Sequence, residues 1–126
     1  MNNQDVRSLI NAYWQAAARG DFDAMAKCYA EDAVQEWPQS RERVVGRANI
    51  MAINRSYPGL PRATIHSIRG DGKGPWVTEL TLDYGGDRYE CVFIFEISGG
   101  VITRETDYFA APFDAPAWRA QWTETL

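Results

Sequence analysis

Metal-binding residues are scarce in this chain: one His and two Cys among 126 residues. That is too few, and too scattered, for a zinc site, so no metal and no metal-bound cofactor is expected. Cys28 and Cys91 share no motif spacing and read as reduced thiols of a cytoplasmic protein rather than as a disulfide. Basic charge is also lacking. Lys and Arg number 13 against 17 Asp and Glu, a net charge of −4, which argues against a nucleic-acid partner. No apolar run approaches the ~20 residues of a membrane span. The first five residues, Met-Asn-Asn-Gln-Asp, carry no Lys or Arg and do not read as a secretory signal. Gly70–Gly74 runs from one strand pattern into another, so it offers no helix N-terminus to a phosphate. No Ser or Cys is arranged with the His as a nucleophile.

Aromatic residues, in contrast, are plentiful: five Trp, six Tyr and five Phe. Most of them build the core, but aromatics also line pockets for apolar ligands. At 45% hydrophobic and 24% charged, the chain suits one globular domain over residues 1–126, with cofactor-free chemistry if it has any.

The order of elements is helices first, strands afterwards. Val6, Leu9, Ile10, Tyr13 and Ala17 share one helical face, which predicts a helix from about Gln4 to Arg19 with Asn2 or Asn3 as cap and Gly20 as terminator. Asp21 is positioned to cap a second helix, Phe22 to Tyr29. Ala33 to Trp37 reads as a short strand stopped by Pro38, and Gln39 to Arg43 as a polar loop. A third helix covers Arg47 to Tyr57 and stops at Pro58-Gly59. Four strands follow: Ala63 to Arg69, Trp76 to Tyr84, Arg88 to Ile97 and Val101 to Ala110. Gly85-Gly86 and Gly99-Gly100 are hairpin turns, so the sheet is a mostly antiparallel meander. Cys91-Val92-Phe93-Ile94-Phe95 is apolar on both faces, and a second copy of the chain is the simplest cover for its outer face. Residues 111–126 form a helical tail, with Trp118 and Trp122 on one face as a lid or a dimer contact.

Gly20-Asp21-Phe22-Asp23-Ala24, Tyr29-Ala30-Glu31-Asp32-Ala33, Gly46-Arg47-Ala48-Asn49-Ile50 and Ile102-Thr103-Arg104-Glu105-Thr106-Asp107-Tyr108 occur in an order that resembles the SnoaL-like group of the nuclear transport factor 2-like superfamily. The resemblance implies an α+β fold: a cone-shaped, cystatin-like roll with N-terminal helices packed on a curved, mostly antiparallel sheet, often dimeric through that sheet. Members include polyketide cyclases, ketosteroid isomerases, dehydratases, epoxide hydrolases and non-catalytic binding modules, so fold alone does not decide function. The isomerases carry a helix-one tyrosine eight positions before the aspartate of the Gly-Asp phrase, and Tyr13 stands at that distance from Asp21. Their aspartate base, just before a proline, is matched here by Trp37. Tryptophan cannot take a proton from carbon, and Glu36 should face the other side of its strand.

These residues lead to an expectation of a small, largely apolar, oxygen-bearing ligand and a homodimer. Asp107 is the candidate base, on a face shared with Val101 and Phe109, with Tyr13 as hydrogen-bond donor to an oxyanion. An ion pair of Asp107 with Arg104 or Arg88 is the structural alternative. Trp14, Trp37 and Tyr57 are candidate walls. His66, the one imidazole, is a candidate base, and Glu79 a secondary candidate whose alternation points it outward. Glu31 and Asp32 read as turn and capping residues.

Overall fold

The first helix, α1 (Asn3–Ala18), starts on a reciprocal cap: the Asp5 amide donates to Asn2 Oδ1 at 2.9 Å, and the Asn2 amide donates to Asp5 Oδ2 at 3.2 Å. In the computed structural model, which describes residues 2–126, Val6, Ile10, Tyr13, Trp14 and Ala17 of this helix are buried. Gly20 takes φ +70° and turns the chain. Asp21 then caps α2 (Phe22–Ala26) by accepting from the Ala24 amide at 3.0 Å. This second helix is a single short turn, because the chain is already extended at Tyr29.

Strand β1 runs Tyr29–Trp37 and pairs with β2 (Glu42–Val45) through a tight turn at Pro38–Arg41. Two expectations are corrected here. Glu31 and Asp32 are exposed strand residues, not a turn or a cap, and the polar stretch after Pro38 contains the start of a strand. Charged outward side chains hid both segments from a hydrophobic pattern. Helix α3 (Arg47–Ser56) buries Ile50 and Met51. The meander follows as β3 (Arg62–Arg69), β4 (Trp76–Asp83), β5 (Arg88–Ser98) and β6 (Val101–Ala110). Gly99 and Gly100, at φ +62° and +82°, make the β5–β6 turn, a conformation that L side chains with a Cβ rarely enter.

One six-stranded sheet results, in the order β2-β1-β6-β5-β4-β3. It is mixed: β1 and β6 are parallel, and the other four pairings are antiparallel. The helices cover one face. Into that face point Thr78, Leu80 and Leu82 of β4, Phe93 and Phe95 of β5, and Glu105 and Asp107 of β6. A bulge at Glu96/Ile97 shifts the register at the start of β6, so Ile102 is the buried residue there and Val101 is only half-buried. Val92 and Ile94 lie half-buried on the outer face, so β5 is apolar on both sides. Cys28 and Cys91 are free and buried. The tail is a 3₁₀ segment, Ala117–Trp122, rather than an α-helix. Its Trp118 and Trp122 are 73% and 72% exposed, and neither lines the cavity described next. Among the described residues, no helix is long and apolar enough to cross a membrane.

Candidate functional site

Between the helices and the sheet lies a cavity of about 550 Å³, within the ~300–1,000 Å³ range of small-molecule sites. Tyr13, Trp14 and Ala17 of α1 and Phe22 and Met25 of α2 form one wall. Ile53, Asn54, Tyr57 and Leu60 bring α3 and its C-terminal loop to the mouth, and Tyr84, Tyr89, Phe93 and Phe109 supply the sheet side. The rings meet mostly edge to face, as in Tyr13–Trp14 at 4.9 Å between centroids and Phe93–Phe109 at 5.4 Å. Such packing fixes the wall without filling the space. Among the described residues, no Lys, Arg or His lines the cavity, and Asp107 is its one carboxyl.

Asp107 is 2% exposed. Its Oδ2 accepts from the Trp37 indole Nε1–H at 3.1 Å, while Oδ1 is buried with no donor. Neither candidate arginine is its partner: Arg104 pairs with Glu36 and Glu96 on the outer face, and Arg88 with Glu90. Two residues earlier on β6, and on the same face, Glu105 is fully buried. It accepts from the Tyr29 hydroxyl at 2.6 Å and from the Gln35 side-chain amide. Burial pushes both carboxyls up from their ordinary range. The adjoining Glu105 charge raises Asp107 further, whereas hydrogen bonds from Tyr29 and Gln35 favour the charged form of Glu105. Asp107 therefore holds the proton of the pair. Burial, and then the charge of Glu105, also hold the Tyr13 phenol well above its usual range, so it stays a donor. The Tyr13 ring stands edge-on to that of Tyr29, 5.6 Å away.

Tyr13, Trp14, Trp37, Tyr57 and Asp107 thus border one space. His66 and Glu79 do not. His66 is exposed on β3 and bonds Thr81 at 2.7 Å, and Glu79 pairs with Arg69 at 2.5 Å. Both belong to the outer face. Glu105 is the residue that sequence reasoning passed over. The signal was present, since Glu105 has the same strand parity as Asp107. Gln35 was equally legible as an inward neighbour of Trp37 by alternation.

A ligand-sized, aromatic-walled cavity with one carboxyl and four phenols, those of Tyr13, Tyr57, Tyr84 and Tyr89, lies between the helices and the sheet of this α+β fold. The SnoaL-like domain family matches residues 10–105, and the chain belongs to that family, within the nuclear transport factor 2-like superfamily. It is 41% identical to a nuclear transport factor 2-like protein of unknown function from Burkholderia xenovorans, with a TM-score of 0.89 over 100% of this chain and 98% of that one. It is 28% identical to a candidate ketosteroid isomerase from Kribbella flavida, with a TM-score of 0.84 over 98% and 90% of the two chains. An epoxide hydrolase of LEH-like type from M. tuberculosis is also 28% identical, with a TM-score of 0.71 over 84% and 83%. No curated protein matches the chain significantly.

Proposed function

We propose that this protein is a cofactor-free acid/base enzyme acting on a compact, largely apolar compound that carries a carbonyl or hydroxyl oxygen. Proton removal beside the carbonyl would lead to isomerisation, cyclisation or elimination. The observation that carries this reading is Asp107, a protonatable carboxyl on an aromatic-rich wall shared with Tyr13. Asp107 exchanges a proton with the substrate. Tyr13 donates a hydrogen bond to the oxygen on which charge develops. Trp14, Trp37 and Tyr57 shape the space. His66 and Glu79 have no part in this chemistry. The half-buried Val92 and Ile94 support a homodimer through the outer sheet face, and the two free thiols support a cytoplasmic setting.

A panel of small ring ketones tests the reading by deuterium incorporation from solvent at the carbon beside the carbonyl. Wild type exchanges a member of the panel and Asp107→Asn does not, although both are stabilised by it in a thermal shift. Full exchange in Asp107→Asn overturns the reading. Trp37, standing where the related isomerases keep their base, favours a second reading, a non-catalytic binding module. That reading requires stabilisation by ligand without exchange in wild type.

A further inference from the structure

We propose that Glu105 is a positioning residue for Asp107: the two carboxyls share one proton, and Glu105 takes it up when Asp107 acts as base and returns it when Asp107 acts as acid. The inference rests on the function proposed for Asp107 and extends it to a residue that does not touch the cavity. Four observations carry it. Glu105 is fully buried two residues from Asp107 on the same strand face. Its two oxygens are held by neutral donors, Tyr29 and Gln35, and it takes part in no ion pair among the described residues, so no cation fixes its charge state. Asp107 Oδ1 is buried with no hydrogen-bond partner, so no donor there favours the ionised form. Trp37 holds the other oxygen and fixes the carboxyl plane.

Around the pair, the titratable groups are Tyr13 of α1, Tyr29 of β1, Cys91 of β5 and Tyr84 beyond β4. All four are raised above their ordinary values, so all stay neutral through the physiological range. The proton therefore has two places to be, and the pair titrates as a unit. In the resting state it sits on Asp107, which meets a ligand oxygen as an acid. Transfer to Glu105 leaves an Asp107 carboxylate able to take a proton from carbon, and the negative charge of the pair is unchanged by the shift. Such a base needs no cation in the cavity, consistent with the absence of one from its lining.

The Trp37 indole N–H reports the charge on Asp107 directly, so its nitrogen–proton NMR resonance can be followed against pH without any substrate. It is assigned by its loss in Trp37→Phe. In wild type the resonance titrates with the pair, well above the range of an isolated aspartate. In Glu105→Gln the like charge is gone, and the midpoint moves to lower pH by more than the scatter between repeats. In Tyr29→Phe, Glu105 loses a donor and binds the proton more strongly, so at neutral pH the resonance moves toward its alkaline position. An unmoved midpoint in Glu105→Gln overturns the proposal. If that variant does not fold, an unmoved resonance in Tyr29→Phe overturns it. Neither outcome touches the role of Asp107, which stands or falls on deuterium exchange in Asp107→Asn.

Discussion

Ionising Asp107 in the folded protein places a second negative charge beside Glu105 in a buried site, and folding stability must register that cost. The sign follows from linkage. The folded-state pKa of Asp107 is raised above its unfolded value. The native state therefore holds a proton that the unfolded chain releases. The stabilisation is fully present below the unfolded value, about pH 4, and is lost as pH rises toward the folded one. Within that window one bound proton gives a slope of ~1.4 kcal/mol per pH unit. Urea unfolding at several values from about pH 5 to about pH 8 measures it. Wild type is expected to lose stability at that slope until Asp107 ionises. Asp107→Asn keeps the acceptor for Trp37 and removes the proton, so its curve is flatter by the same slope. Equal slopes in the two proteins would refute the buried-acid argument, whatever their absolute stabilities.

Trp37→Phe keeps an aromatic ring, though a smaller one, and removes the donor to Asp107 Oδ2. Asp107 then binds its proton more tightly, and the pH at which stability stops falling moves up in the same unfolding series. Phe95 is fully buried at the centre of the sheet, so Phe95→Ala should cost about 3–5 kcal/mol in urea unfolding. At Gly70 an added Cβ would stand 2.5 Å from the Trp76 ring. Gly70→Ala should therefore destabilise by about 1–3 kcal/mol. At Gly74 no atom lies within 4 Å of such a Cβ, and Gly74→Ala is the control expected within about 0.5 kcal/mol of wild type. Asp21→Ala should cost about 1 kcal/mol through loss of the α2 cap.

Local chemistry made much of the fold legible. Asn2, Gly20 and Asp21 mark the helix ends, and the Gly-Gly pairs mark two hairpins, because each acts through its own or its neighbour's backbone. Strand β2 was not legible, since Glu42 and Arg43 are exposed and leave a four-residue strand without apolar alternation. Nor was the partner of β1. A parallel pairing joins segments remote in sequence and leaves no turn signal, so nothing near Trp37 shows that it lies beside Asp107. Parity put Asp107 on one face with Phe109 but left open which way that face points, and the bulge puts Ile102, not Val101, on it. The environment that turns Asp107 from a surface ion-pair candidate into a buried acid is tertiary.

The parallel contact between β1 and β6 also has a consequence in time. Gln35 to Glu105, Trp37 to Asp107 and Gln39 to Phe109 are each separated by 70 residues. During synthesis the first half of the site waits, with its indole and amides unpartnered, until the last strand has been made. The two carboxyls gain their partners Tyr29, Gln35 and Trp37 only when β6 docks on β1, and separation of those strands would leave both without them.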